Sequence, residues 1–366
     1  MMRTALVALT VITIIGGVLA MRAHLGGRGQ DGPNLQTDAL YLEELRASVA
    51  LQPDEVPGFN KARNSNVVPL GGKIFAQRLA SPFAEHSPLH AKLQGVETIY
   101  FLQSLRRDGN GRAGRDPSFL EVTLMIYPGR DLAHDAGILT TESQTAPPGE
   151  PGMPEGSFTG LPVGEKSWAT APKSAEFSPG AKDANLVVWD NSIVIRVTIS
   201  YSPVDPRART MLFASIEDTD LEWAEYAVRL LLARTHYFLL SSGKSLTTVP
   251  VMVRDNRLEV KQTPEGVLLV PLKAMARALG GQVQENAGIY WLNAGGKWWT
   301  LPLGSRTILA GKQPVQQPPS NRMGAYRVME PPEGSVNLRI PVLTWENEIW
   351  VDAEALGRII GYPIQP

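Results

Sequence analysis

One pattern occurs twice in the C-terminal third of this chain, and it dictates what that third can fold into. Residues 267–281 read VLLVPLKAMARALGG: a short β-prone run, a proline, a helix-forming stretch and a glycine pair. The same order returns at Ile349-Trp350-Val351, residues 353–360 and Gly361. A shift of 81 residues places Val270 on Val351, Ala274 on Ala355, Arg277 on Arg358 and Gly280 on Gly361. This is an internal strand–helix repeat. Pro271 is expected in the first turn of its helix, where a missing N–H costs nothing.

The stretches before and between the copies are β-rich. Residues 251–260 read as a hairpin around Asp255-Asn256, and residues 289–292 and 297–304 as strands turning at Ala294-Gly295-Gly296. Alternation then puts Trp299, Leu301 and Leu303 on one face, with Tyr290 and Leu292 on the partner strand. Trp291 and Trp298 fall on the opposite face. They are the candidate binding surface, because an outward aromatic pair can stack on a sugar ring or anchor a protein partner.

Residues 249–364 resemble the copper amine oxidase-like N-terminal domain, also called the stalk domain. Its repeated signature is a short strand, Val-Pro-Leu-Arg, a helix and Leu-Gly. The resemblance implies an extracytoplasmic α+β module of bacterial surface and secreted proteins, an accessory or binding part without a catalytic site. The chain departs from the signature in three places. The family arginine is Lys273 in the first copy and Glu354 in the second, Asp352 stands where proline is expected, and residues 320–339 form an extra stretch. No histidine or cysteine follows His236. Copper favours imidazole or sulfur ligands, so the metal of the family name is not expected here.

Upstream, residues 35–245 read as one α+β unit. Leu42, Leu45 and Val49 recur at helical spacing behind Thr37 and Asp38, and a polar stretch follows to Val67. Residues 97–104 and 119–127 read as paired strands, with Asp108-Gly109-Asn110-Gly111 as turn chemistry between them. Leu120, Val122, Leu124 and Ile126 form the alternating face. Residues 131–139 read as a short helix or loop, and the Pro/Gly-rich residues 146–157 as a connection without regular structure. A second hairpin joins 186–189 to 193–199 through Asp190-Asn191-Ser192. Thr219 and Glu222 have capping-box spacing at the head of a helix over 221–240, with Val228, Leu231, Leu232 and Thr235 directed at the sheet. The stretch from Gly160 to Trp168, followed by that hairpin and helix, is similar to sheet-plus-helix domains of bacterial exported proteins, a likeness that names no activity.

Residues 1–24 carry a run of seventeen apolar or small side chains, 5–21, flanked by Arg3 and Arg22. About 20 residues are needed to span a bilayer comfortably. The segment therefore reads as a signal peptide or a short anchor, followed by a linker at 25–34. It is the chain's only expected contact with a membrane, and it places the body outside the cytoplasm.

Composition closes off several functions. The chain has 366 residues, no cysteine, and 35 basic against 36 acidic side chains. A net charge of −1 is not that of a nucleic-acid binder. Without cysteine there are no disulfides, thiolate metal sites, iron–sulfur clusters, cysteine nucleophile or lipoprotein-type anchor. His86 and His90 have metal-site spacing, with His134 and Asp135 downstream, but Pro88 between them is read as opposing the helix that would align them. Asp108 opens a stretch that starts like a calcium loop, yet Arg112 and Ala113 occupy positions needing an oxygen ligand and a glycine. Ser192 and Ser215 lack a nucleophile elbow. Glu43-Glu44 and Glu217-Asp218 read as solvated or capping carboxylates.

No catalytic residue, metal or cofactor is expected. The reading is a non-catalytic binding or accessory protein of the bacterial cell envelope, with a cell-wall polysaccharide or an envelope protein as partner. The alternative is a secreted enzyme with its active site in residues 35–245 and the stalk-like module as accessory.

Overall fold

The structure, a computed structural model, describes residues 38–59, 61–70, 87–106, 117–142, 153, 155–170, 183–201, 218–242, 246–312, 330–362 and 364. The apolar N-terminal segment, His86, the turn at 108–111 and most of the Pro/Gly-rich stretch lie outside these residues. Among the described residues no helix is long and apolar enough to cross a membrane.

The fold combines helices with antiparallel sheets, in agreement with the α+β expectation. The N-terminal elements are α1 (Ala39–Val49), β1 (Lys61–Leu70), α2 (Pro88–Leu93), β2 (Thr98–Arg106), β3 (Pro117–Ile126), α3 (Arg130–Glu142), β4 (Lys166–Thr170), β5 (Asp183–Asp190), β6 (Ile193–Tyr201) and α4 (Asp218–Ser241). The six strands form one antiparallel sheet in the order β1-β2-β3-β6-β5-β4. Its alternation works as expected. Leu120, Val122, Leu124 and Ile126 point with Ile193, Ile195, Val197 and Ile199 into a core closed by α1 and α4. The intervening Met125, Val187, Trp189 and Val194 meet α2 and α3 on the other face. Two strands went unrecognised in the sequence. β1 falls in the polar stretch and pairs only with β2 at the sheet edge, where a polar strand is acceptable. β4 is a short edge strand beside β5.

Helix starts follow local chemistry. Asp38 caps α1 by accepting from the Tyr41 N–H at 3.0 Å. Pro88 does not prevent a helix; it opens α2 as the first residue behind Ser87, the position where proline is tolerated. α4 begins at Asp218, so Thr219 lies within the helix.

The C-terminal elements are β7 (Thr247–Val253), β8 (Asn256–Gln262), β9 (Leu268–Pro271), α5 (Leu272–Ala278), β10 (Gln282–Asn286), β11 (Ile289–Ala294), β12 (Lys297–Pro302), β13 (Thr307–Ala310), β14 (Val336–Asn337), β15 (Leu343–Trp345), β16 (Glu348–Asp352) and α6 (Ala353–Ile360). They make two five-stranded antiparallel sheets, β10-β11-β12-β13-β14 and β15-β16-β9-β8-β7. The repeat has a direct structural expression. β9 and β16 are antiparallel neighbours with Val270 opposite Val351, so a local two-fold axis through that pair relates the copies. α5 packs chiefly on β16, the other copy's strand, while α6 lies against β9 and its own β16 alike. Asp352, at the position that Pro271 holds in the first copy, caps α6 by accepting from the Glu354 and Ala355 N–H groups. Pro271 is the residue before α5 and makes no side-chain cap. Between sheets and helices lies a core including Val260, Val270, Met275, Leu292, Trp299, Leu301, Val351 and Leu356.

α4 is where the two halves meet. None of its residues from Asp220 to Ser241 is exposed, and Ala227 to Ala233 are buried without a break. Expected to lie with one face on a sheet, it is enclosed on both sides. Val228, Leu231 and Leu232 join the N-terminal core, Ala233 the C-terminal core, and Tyr237 a third cluster with Leu269 and Leu343. Two glycines allow this approach. Gly288 (φ +72°) and Gly304 (φ +69°) sit in the left-handed region, and a Cβ on them would lie 2.8 Å from Tyr226 and 3.0 Å from Leu232.

Gly266 has the same backbone sign (φ +81°) with no atom within 4 Å of a built Cβ. Gly266→Ala should cost about 1–2 kcal/mol for backbone conformation alone. Gly288→Ala should cost about 1–3 kcal/mol beyond that, for the clash with α4. Chemical denaturation of both variants measures the difference, and equal losses would show that the contact is slack.

Candidate functional site

The register of the β10–β14 sheet confirms the alternation read for its tryptophans. Leu292 is opposite Trp299, and Asn293 is opposite Trp298. Tyr290, Leu292, Trp299 and Leu301 are in the core, with Trp291 and Trp298 on the other face. Exposure is where the expectation needs correction. Trp291 is only 8% exposed, because Leu161 from the N-terminal half lies with it, Ile289 and Leu309 in a small cluster. Trp298 is half-buried at its edge. The Lys312 ammonium sits 4.9 Å from the Trp298 ring and 5.8 Å from that of Trp291, and donates to Gln284 Oε1 at 2.6 Å. The two indoles therefore do not form an open pair; one is sealed beneath the junction and the other is partly covered by a lysine.

A cavity of about 380 Å³ opens instead between the halves. The loop after α1 supplies Gln52 and Glu55, α4 supplies Tyr226 and Arg234, and the C-terminal half supplies Lys273, Glu285, Tyr290 and the β15–β16 turn at Trp345-Glu346-Asn347. These residues are distant in sequence. They converge because α4 presents Tyr226, Leu230 and Arg234 along one line of its surface at helical spacing. Glu346 and Asn347 both have positive φ, +51° and +62°, which makes a tight hairpin turn at the rim.

Four of the five charged side chains lining this cleft are paired with each other. Arg234 forks onto both oxygens of Glu55 and also donates to the Ala50 carbonyl at 3.3 Å. Glu55 Oε2 accepts from the Gln52 N–H as well. Lys273 Nζ lies 3.4 Å from Glu285 Oε2 and 5.9 Å from the Tyr290 ring. The Tyr290 hydroxyl donates to Glu285 Oε1 at 2.8 Å. Burial first, and then the adjacent Glu285 carboxylate, raise the pKa of Tyr290 far above that of a free phenol. It is a neutral hydrogen-bond donor at any physiological pH. Sequence reading singled out only Lys273 among these residues, as an irregularity in the repeat.

Two polar networks hold the walls in place. Fully buried Arg229 donates to Glu225 at 2.5 Å, to the Pro162 carbonyl at 2.7 Å and to the Leu303 carbonyl at 3.4 Å, tying α4 to both halves. Glu225 in turn accepts from the N–H and hydroxyl of Thr159. In the second network, Asp190 is completely buried at the β5–β6 turn. His236 Nε2 lies 2.7 Å from its Oδ2, and Arg306 Nε donates to its Oδ1 at 2.8 Å. Arg306 comes from the C-terminal half and also donates to the Arg339 carbonyl.

Comparison of the chain with family models, with curated proteins and with solved structures gives no match.

The other constellations considered in the sequence resolve differently. His90 lies on α2, and His134 and Asp135 on α3. Asp135 pairs with Lys92 and lies 3.8 Å from His134 Nδ1, while the His134 ring meets Trp189 edge-on at 4.6 Å. Among the described residues no group of three or more His, Asp or Glu side chains is placed to hold a metal ion. Ser192 is buried in the β5–β6 turn and its carbonyl accepts from the Tyr127 N–H.

Asp190 gives the junction a pH dependence. Burial alone would raise its pKa, but His236 and Arg306 outweigh it and hold the pKa below that of a free carboxylate. The unfolded chain then binds the proton more readily than the folded one, so this contribution is complete above about pH 4 and fades as pH falls through the lower folded value. Asp190→Asn should lower stability at neutral pH and flatten the loss on acidification. Denaturation midpoints at several pH values below 5 test this, and a variant with the parent's acid slope would refute it.

Proposed function

We propose that the protein is a non-catalytic binding or accessory protein of the bacterial cell envelope, working outside the cytoplasm. In this reading an α+β domain, residues 35–245, and a stalk-like domain, residues 249–364, are joined through α4 and share one binding cleft. The observation that carries the proposal is the state of the groups lining that cleft. A catalytic site needs a base or nucleophile aimed at a reactant and tuned by a neighbour, rather than one held by a counter-charge. Here Glu55 is gripped by Arg234, Glu285 accepts from Tyr290 and faces Lys273, and Tyr290 keeps its proton. Such walls position a ligand; they do not activate one. The size and mixed lining suit a ligand site between two packed bodies.

Location rests on the apolar residues 5–21, as signal peptide or anchor, and on the resemblance of the C-terminal third to stalk domains of bacterial surface proteins. The partner in this reading is a cell-wall polysaccharide or an envelope protein. Trp298, half-buried on the outer sheet face, is a second contact point.

The full chain, incubated with isolated cell wall, polysaccharide fractions and envelope proteins, should be retained on one of them. Combining Lys273→Met with Asn347→Gly should reduce affinity for the retaining fraction about a hundredfold, the effect of losing two charged or polar hydrogen bonds. Loss with Trp298→Ala alone would move the binding surface to the outer sheet face. No retention on any fraction would sink the proposal.

A further inference from the structure

We infer that the cleft between the two halves takes a neutral, hydroxyl-rich saccharide. The inference rests on the binding reading above and names its ligand class.

The argument starts from what the lining still offers once its internal contacts are counted. Arg234 and Glu55 are bound to each other in a fork, with further contacts to the Ala50 carbonyl and the Gln52 N–H. They form a fixed wall rather than a ligand group. Lys273 and Glu285 cancel each other's charge across 3.4 Å, yet each retains hydrogen-bonding capacity, since an ammonium has three N–H groups and a carboxylate about four lone pairs. Gln52, Thr344 and Asn347 add amide and hydroxyl groups with both donors and acceptors.

A hydroxyl group is itself donor and acceptor, and it can bridge a cation and an anion without separating them. A phosphate or carboxylate ligand would have to pull Lys273 from Glu285. It would also meet Glu346 at the rim, whose exposed side chain carries the same sign of charge. A cationic ligand would have to draw Glu55 from Arg234 or Glu285 from Lys273, with only the exposed Glu346 at the rim left to meet it. An apolar ligand would bury these polar groups without partners, at a cost of about 1–3 kcal/mol each. Aromatic lining from partly buried Tyr226 and Trp345 supplies the apolar surface on which sugar C–H faces stack. Trp345 is braced by parallel stacking on Tyr237, with ring centroids 4.8 Å apart. The rim is pre-shaped by the Glu346-Asn347 turn, so little ordering is needed on binding.

Calorimetric titration of the full chain tests the inference with four probes: a β-glucan tetramer, an N-acetylglucosamine tetramer, a glycerol-phosphate oligomer and tetralysine. At least one neutral oligosaccharide should bind saturably. Its affinity should fall about tenfold in Lys273→Met and in Asn347→Gly, and stay unchanged in Arg358→Ala, whose exposed side chain on α6 does not line the cleft. Glycine at 347 keeps the positive φ of the turn, so that variant removes the amide and leaves the backbone in place. Preference for the phosphate oligomer or tetralysine would overturn the inference. So would saccharide binding that ignores both cleft variants, or no saccharide binding at all. Retention on envelope material without saccharide binding would end this inference and leave the binding reading standing. Loss of both would end both.

Discussion

Every feature of this molecule that bears on function is referred to one helix buried on all sides. α4 carries Glu225, Arg229 and His236 into an interior where an uncompensated charge is prohibitive. Removing one member of a buried ion pair typically costs about 3–5 kcal/mol, because the other is left desolvated and alone. The Glu225–Arg229 pair is therefore tolerable only where its remaining hydrogen bonds are made. Those partners are the Pro162 carbonyl on one side and the Leu303 carbonyl on the other. The charge pair thus sets the depth and rotation at which each half seats on the helix.

The cleft follows from that seating. Tyr226, Leu230 and Arg234 lie on the same side of α4, and the C-terminal half is positioned over them by Gly288 against Tyr226 and Gly304 against Leu232. A little further along the helix, His236 and Arg306 converge on Asp190, and Tyr237 stacks on Trp345. The same helix thus fixes the floor, one wall and the bracing of the aromatic rim. A cavity assembled this way keeps its shape without a ligand, which suits recognition by complementarity rather than by closure.

Local pattern foretold much of the fold. The alternation at Leu120 to Ile126, the hairpins, the head of α1 and the duplicated strand–helix unit all appear where short-range chemistry puts them. What was missed depends on contacts across long sequence separations. β1 is polar because it is an edge strand, and polarity alone reads as loop. The i, i+4 spacing of Glu225 and Arg229 looks like an ordinary solvated pair; nothing local says that residues 159–162 and 303 will enclose it. The tryptophan alternation was right, yet Trp291 is buried because Leu161 arrives from far upstream. Pro88 was weighed by its cost inside a helix, when its position directly after a capping serine is where that cost vanishes.

The cleft residues escaped notice for the same reason, with one instructive exception. The two copies of the repeat are related by a two-fold axis through Val270 and Val351, so Lys273 and Glu354 occupy equivalent positions on equivalent helices. Their surroundings are not equivalent. Glu354 pairs with Arg339 and Arg358 on the open surface, contacts of little energetic consequence. Lys273 faces Glu285 and Tyr290 at the place where α4 meets the first copy. Duplication supplied two identical slots, and the asymmetric docking of the N-terminal half turned one of them into the wall of a cavity. A residue that breaks an internal repeat marks the point where the symmetry of the module ends and the demands of its neighbour begin.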